Sequence, residues 1–273
     1  MCVASLTTTS RGNAHPNVPT RGGVGTLLIL LVAATVVLVS AVLSGAVGFG
    51  FALAATPILL LLFPPKQAIA TVAVVGLIPL IYGVIVYRRG LSLNGLTFIF
   101  PTSLVGLLLG LPVLFLASPS WIRIIGGSAS IAMAVTLQLK PGEPFPHERW
   151  GLATAGLLSG ILQGTSGQGG PPVALVLTKQ HWGPVHIWGT MTTYFLAISP
   201  IFLGSLIISG AIPKSTWPVS VALAVPVLLG SFVGNLLRVR VAPQLIRTVT
   251  LLVVAWSGIA GVIGGMTGLI HSA

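Results

Sequence analysis

GILQGTSGQGGPP, residues 160–172, interrupts an otherwise apolar stretch of the chain with glycine and proline. Both residue types are poor helix formers, so a helix that enters this stretch is expected to end within it. Unwound backbone at membrane depth is tolerated only where protein surrounds it or where it lines a cavity. The stretch therefore predicts a break in a buried membrane element, and a candidate place for a ligand.

The composition around this stretch is that of a membrane protein. Hydrophobic residues make up 54% of the chain and charged residues only 5%, whereas a soluble domain carries about a quarter charged residues. The only acidic residues are Glu143 and Glu148, and the mean hydropathy is +1.04. These values predict an all-α, multi-pass protein of the cell (plasma or inner) membrane whose main partner is the lipid bilayer.

The positive charge does not indicate nucleic-acid binding. The formal net charge is +11, but the Lys and Arg residues occur singly or in pairs along the chain. They form no run of the kind that contacts phosphates, so we expect no nucleic-acid partner and interpret them as anchors at lipid headgroups. Cys2 is the single cysteine, which excludes an internal disulfide, and we predict neither a metal site nor a cofactor.

Several apolar segments reach the length of about 20 residues that a membrane span needs. A polar tail, residues 1–23, precedes them and is expected to be disordered. Two further stretches, Gly45–Phe63 and Gly151–Lys179, are predicted to be interrupted elements because glycine and proline divide them. The predicted spans are Val24–Ser44, Pro65–Tyr87, Leu93–Leu116, Pro119–Leu139, Pro184–Ile208, Thr216–Leu237 and Pro243–Leu269.

The two interrupted stretches are related by an internal repeat. Identical residues recur at an offset of 119 positions without a gap. The offset defines an N-terminal half (24–139), a connecting loop (140–149) and a C-terminal half (150–270). Short, Gly/Pro-interrupted segments at corresponding places in two halves indicate the binding site of a transporter. The repeated pairs are Gly45 and Gly164, Gly48 and Gly167, Gly50 and Gly169, Pro65 and Pro184, and Thr71 and Thr190.

The distribution of cations favours one of two topologies. If each interrupted element is re-entrant, each half contains three spanning helices, the halves are inverted, and the cations divide eight against five between the two faces. If each interrupted element crosses once, they divide seven against six. The positive-inside rule favours the inverted arrangement, and the crossing arrangement remains the alternative.

The glycine stretches are predicted to bind a small anion. Amide N–H groups at a helix N-terminus or in a concave loop attract anions, and glycine lets a ligand approach the backbone closely. No carboxylate lies in either stretch to attract a cation. The predicted substrate-binding residues are Gly45, Gly48, Gly50, Thr71, Gly164, Thr165, Ser166, Gly167, Gln168, Gly169, Gly170, Pro171, Thr190 and Tyr194.

Two other functions fit parts of the sequence. A passive anion channel would use the same broken elements. An intramembrane serine protease of rhomboid type would use Ser166, since residues 164–167 match G-x-S-G. A serine nucleophile needs a base within hydrogen-bonding reach, but the histidines fall in the tail, in loops or at the C-terminus. We therefore predict no catalytic residue and no enzymatic activity.

Residues 160–172, together with the weaker Gly48-Phe49-Gly50 and the following Pro57, resemble the two glycine loops of the sulfite exporter TauE/SafE family. The resemblance covers about residues 24–270. In that family the first loop usually carries three consecutive glycines, whereas Phe51 and Ala52 follow Gly50 here. The resemblance implies export of small anions such as sulfite, sulfoacetate and related sulfonates. Such export would use alternating access, in which one helix bundle rocks against the other. A homo-oligomer is possible on this sequence.

Overall fold

A computed structural model describes residues 23–47, 50–138, 144, 146–240 and 243–270. The predicted tail up to residue 22, half of the predicted loop 140–149, and Gly48 lie outside these residues. The described residues form eleven α-helices and one short 3-10 turn, and no strand.

The helices follow the predicted segments closely. They are α1 (Gly23–Val47), α2 (Phe51–Leu62), α3 (Pro65–Val75), α4 (Leu77–Tyr87), α5 (Leu93–Leu116), α6 (Pro119–Gln138), α7 (Glu148–Ser166), α8 (Gly170–Lys179), α9 (Pro184–Ile208), α10 (Thr216–Arg240) and α11 (Pro243–Ile270), with the 3-10 turn at Arg88–Gly90.

Six stretches among the described residues are long and apolar enough to cross a membrane, which confirms the prediction of a polytopic helical protein. The predicted span Pro119–Leu139 forms α6 over its described residues but is not among the six. One of the six, Pro65–Gly90, contains both α3 and α4. The sequence predicted a single helix there. The break at Gly76 has a local cause, because Pro79 has no N–H to donate to the carbonyl of Val75 four residues earlier. The other spans are Gly25–Ala46, Leu93–Leu116, Pro184–Ile208, Thr216–Leu237 and Thr248–Ile270.

Glycines bring α5 and α7 into backbone contact, and the order of these contacts shows that the two helices run parallel. Gly156 lies against Ile99, and Gly164 lies against Leu107. Residue numbers therefore rise together along both helices. Small residues at membrane helix interfaces allow this close approach, which increases van der Waals contact.

The same kind of contact orients two further pairs. In α1 and α10, Leu38 lies against Gly230 and Val42 against Gly234, so these helices are also parallel. In α6 and α11, Gly127 lies against Gly258, whereas Ser120 lies against Gly265. Residue numbers fall along α6 as they rise along α11, so these two helices are antiparallel.

Polar and cationic side chains tie the helix ends together. At one end of the bundle, Trp182 Nε1 donates a hydrogen bond to Glu148 Oε1 at 2.9 Å. This bond joins the first residue of α7 to the turn that leads into α9. At another point, the Lys66 ammonium lies 5.8 Å from the centre of the Phe115 ring, which places the start of α3 beside the end of α5.

Candidate functional site

A cavity of about 70 Å³ is bordered by residues of both glycine stretches. One water molecule needs about 10–15 Å³ on this measure, so the space is large enough for a small solute. Gly76, in the middle of the Pro65–Gly90 span, borders it, which places the cavity near half depth. Its walls are Ser44, Gly50, Phe51, Ala52, Leu53, Ile69, Val72, Ala73, Gly76, Pro79, Leu80, Gln163, Gly167, Gln168, Gly169, Gly170, Phe195, Ser199 and Phe202.

Some of the predicted substrate-binding residues border this cavity. They are Gly50, Gly167, Gln168, Gly169 and Gly170. Gly45 and Gly164 lie instead at helix crossings, where they pack against α10 and α5. The remaining predicted residues with described positions do not border it. These are Thr71, Thr165, Ser166, Pro171, Thr190 and Tyr194.

Two polar wall residues were not predicted, Ser44 and Gln163. They precede Gly45 and Gly164, and the offset of 119 positions relates them as well. Extending the repeat by one position would have found both. Ser199 is a third unpredicted polar wall residue, and no local motif marks it within α9.

The loop between α7 and α8 is held by hydrogen bonds within the protein. Gly167 ends α7 in the left-handed conformation (φ 72°), and its N–H donates to the carbonyl of Gln163 at 2.9 Å, as in an αL helix cap. The N–H of Gln168 donates to the carbonyl of Leu162 at 3.4 Å. The N–H of Gly169 donates to Gln163 Oε1 at 3.1 Å. These amides therefore have acceptors inside the protein, unlike the free donors expected from the sequence.

Serine and tyrosine side chains hold the loop from the other side. Ser159 Oγ donates to the carbonyl of Gly169, and it lies 2.9 Å from the hydroxyl oxygen of Tyr194. Tyr194 and Ser159 are both fully buried. Tyr194 was predicted as a wall residue of the binding site. It does not border the cavity and instead contacts Ser159, which bonds to the loop.

Backbone donors are more abundant at the start of α2 than at the start of α8. Gly50 precedes α2 in the left-handed region (φ 99°), and no side chain caps this helix. The first-turn amides of a helix have no acceptor within it, and residues 50–53 border the cavity. At the start of α8, Pro171 and Pro172 have no N–H, which leaves only Gly170 as a donor there.

The side chain of Gln168 leaves one polar atom without a partner. Gln168 is 1% exposed, and its Oε1 accepts a hydrogen bond from Ser130 Oγ at 2.9 Å. Its Nε2 has no hydrogen-bond partner among the described residues and is shielded from solvent. It lies toward Gly126 of α6, where a Cβ would be 3.2 Å away, and Gly126 does not border the cavity.

The described residues that border the cavity include no Asp, Glu, Lys, Arg or His, so the attraction that these residues offer an ion comes from backbone and amide dipoles. No group of three or more metal-ligating side chains occurs among the residues searched. Ser166 Oγ donates to the carbonyl of Leu162 at 3.1 Å in its own helix, and Ser166 is fully buried. This geometry gives the protease alternative no support.

Comparison with known proteins identifies one family. The model of the family described as Sulfite exporter TauE/SafE matches residues 32–261. The match includes both glycine stretches and every residue that borders the cavity. No curated protein and no solved structure matches the chain.

Proposed function

The chain belongs to the sulfite exporter TauE/SafE family, and we propose that it exports small sulfur-containing or organic anions, such as sulfite or sulfonates, through the mid-depth cavity. Members of the family are membrane transporters rather than enzymes. Together with the membrane-spanning helices, this makes the chain a multi-pass transporter of the cell membrane whose substrate is a small anion. The particular anion and the outward direction are the proposal.

The observation that carries the proposal is the first turn of α2, residues 50–53, in the cavity wall. The N-terminal amides and dipole of that helix favour negative charge. The only carboxylate side chains of the sequence, Glu143 and Glu148, lie far along the chain from these residues, and Glu148 does not border the cavity. The wall therefore favours an anion with acceptor oxygens over a cation.

We also propose that the two halves, 24–139 and 150–270, are inverted repeats. Two spanning helices joined by only a few residues cross the membrane in opposite directions, so α6 opposes α5 and α10 opposes α11. Since α11 opposes α6 and α1 parallels α10, α1 runs opposite to α5. Because α7 parallels α5, α1 and α7 run in opposite directions, as inverted repeats require.

The contacts at the helix ends support a re-entrant element in each half. The bond between Glu148 and Trp182 brings the start of α7 to the turn before α9, so α8 returns the chain to the end where α7 entered. In the first half, Lys66 lies beside Phe115 at the end of α5. Because α1 opposes α5, α1 begins at that same end, and α2 returns the chain to it.

This arrangement suits alternating access. Helices of both halves border the cavity, so rocking of one bundle against the other would expose it first to one face and then to the other. An inside-negative potential favours export of an anion by about 2.3 kcal/mol per charge per 100 mV. Since the walls carry no titratable acid, base or histidine, the flux is proposed to follow the anion gradient and the potential.

Efflux of ³⁵S-labelled sulfite from proteoliposomes tests the proposal. The native protein should show saturable efflux and counterflow, and Gln168→Glu should lower anion flux, because a carboxylate in the cavity wall would repel an anion. Ser231→Ala is the matched control, since buried Ser231 donates to Val227 in its own helix and does not border the cavity. Saturable flux without counterflow would favour a channel. No flux of sulfite or any small sulfonate would refute the substrate class.

A further inference from the structure

The side-chain amide of Gln163 has one arm fixed by the loop and one arm left over. Gln163 borders the cavity, and its Oε1 accepts the N–H of Gly169 at 3.1 Å. A backbone N–H only donates, so the oxygen must face it and the NH₂ group is the other arm. Nε2 has no acceptor among the residues that the structure describes. It is also not among the unpartnered polar atoms that are fully shielded, so it keeps accessible surface.

The hydroxyl of Ser199 differs from its neighbours on α9. Thr192, Thr193 and Ser205 each donate to a carbonyl of their own helix, as Ser and Thr in membrane helices often do. Ser199 Oγ makes no such bond to any described residue, and it is not fully shielded either. Ser199 is only 6% exposed and borders the cavity. Its hydroxyl is therefore a buried donor that the described part of the protein does not use.

Two contacts between α7 and α9 fix how these helices are aligned. Ser159 Oγ lies 2.9 Å from the hydroxyl oxygen of Tyr194. Further along both helices, a Cβ built on Gly167 would lie 3.8 Å from Phe202 Cε1. Residue numbers rise together from the first contact to the second, so the two helices run parallel.

Gln163 and Ser199 lie between these two contacts, each on its own helix. Gln163 is one helical turn from both contacts along α7, which places it on the same face of the helix as Ser159. Ser199 is about one turn from both contacts along α9. At a rise of about 1.5 Å per residue, each lies about 6–8 Å beyond the first contact. The two unused donors are therefore at the same height, and the cavity borders both.

We propose that Gln163 Nε2 and Ser199 Oγ are the side-chain donors that bind the oxygens of the transported anion, together with the backbone amides at the start of α2. The proposal rests on the proposed transport function and names the atoms that recognise the anion. A sulfite or sulfonate group carries several oxygens, so side-chain and backbone donors can bind different ones. Leu80, which the offset of 119 positions relates to Ser199, also borders the cavity but has no donor. The two halves thus contribute unequally to recognition.

Gln163→Glu separates recognition of the anion from support of the loop. The variant keeps a side-chain oxygen for the Gly169 N–H but replaces the donor arm by an oxygen, which repels an anion. The KM for ³⁵S-sulfite flux in proteoliposomes should rise at least about tenfold, the scale of one hydrogen bond to an ion. If Gln163 only supported the loop, KM would stay at the native value.

Ser199→Ala tests the second donor with little risk to the fold. Since the hydroxyl has no acceptor among the described residues, the melting temperature in detergent should match the native one, whereas KM should rise about tenfold. Ser205→Ala is the matched control on the same helix, because Ser205 Oγ donates to the carbonyl of Phe202 at 2.6 Å and Ser205 does not border the cavity. The control should keep the native KM. An unchanged KM in either folded test variant would overturn the inference.

Failure of the inference is distinguishable from failure of the proposed function. If native flux is saturable but Ser199→Ala matches it, the function stands and the donor assignment is refuted. If the native protein carries no saturable flux of sulfite or sulfonates, the function fails, and stabilisation by added sulfite in detergent then tests the donors. A rise in melting temperature that Ser199→Ala loses would support them, and no rise in the native protein would overturn them. Should Gln163→Glu fail to fold, the comparison rests on Ser199→Ala.

Discussion

Gln163 Oε1 accepts the N–H of Gly169 at 3.1 Å, across the turn that separates α7 from α8. From the sequence, the Gly169 N–H was expected to be free for a ligand. Because it donates to Gln163 instead, it stabilises the loop. Gln163 and Gly169 both border the cavity. The shape of the binding site therefore depends on a side chain that the glycine pattern alone does not single out.

Replacing Gln163 by Met should destabilise this loop. The substitution keeps the length of the side chain but removes the acceptor, which leaves the Gly169 amide buried and unpaired at a cost of about 1–3 kcal/mol. A lower melting temperature in detergent is expected. Gln138→Met is the control, because Gln138 is exposed. Equal stability of the two variants would contradict the role given to this bond.

Gly167→Ala should be destabilising through backbone strain alone. The residue has a φ of +72°, and a Cβ built there would lie 3.6 Å from Ile69 Cγ2, an ordinary contact distance. The left-handed conformation costs a non-glycine residue about 1–2 kcal/mol. Asn tolerates this region better, so Gly167→Asn should melt at a higher temperature than Gly167→Ala. The reverse order would argue that packing, not strain, selects glycine.

Gly164→Ala should separate α5 from α7. A Cβ at this position would meet the carbonyl oxygen of Leu107 at 2.7 Å, and overpacking typically costs about 1–3 kcal/mol. Gly204→Ala is the matched control within α9, because nothing lies within 4 Å of its built Cβ. The control should be neutral or slightly stabilising. Similar melting temperatures for both variants would show that the α5–α7 contact tolerates a methyl group.

Arg123→Met should destabilise the end of α2. Arg123 Nε donates to the carbonyl of Leu60 at 2.9 Å, and Pro64, four residues after Leu60, has no N–H to offer instead. Losing a charged donor to a buried carbonyl is expected to cost about 1.5–3 kcal/mol. Arg149→Met serves as the comparison, since Arg149 is exposed and lies over the Phe98 ring. A larger effect at Arg149 would contradict the prediction.

Cysteine labelling can decide the topology. In a Cys2→Ser background, single cysteines are introduced as Lys66→Cys and His186→Cys, both at exposed positions. The inverted, re-entrant arrangement expects a membrane-impermeant maleimide to label them from opposite faces of sealed vesicles. If each interrupted element crosses once, both positions lie on the same face. Labelling from one face would therefore refute the inverted repeats.

Much of the fold follows from local sequence. The predicted span Leu93–Leu116 coincides with α5, and Pro184–Ile208 coincides with α9. Both can be predicted because the length of an apolar segment, and a proline or glycine at its end, determine helix boundaries through neighbouring residues only. The same holds for the end of α7 near Gly167. The span 65–87 was also predicted correctly, but its division into α3 and α4 at Gly76 was not predicted.

Only some of the predicted substrate-binding residues border the cavity. Gly167, Gln168 and Gly169 do so, whereas Gly45 and Gly164 pack against other helices. A membrane glycine lets either a ligand or another helix come close, and the sequence does not distinguish the two. Only the packing of α5 against α7 decides that Gly164 faces Leu107.

The sequence by itself determined that the chain is a helical membrane protein, because hydropathy, proline and glycine exert their effects over a few neighbouring residues. The tertiary structure decided which hydrogen-bond donors have an acceptor within the protein and which do not. Ser130 and Gln168 are 38 residues apart in sequence, and Arg123 and Leu60 are 63 apart. Whether two such side chains come within hydrogen-bonding distance depends on which helices pack together and on how the helices are shifted along their axes. A local sequence pattern contains no information on either.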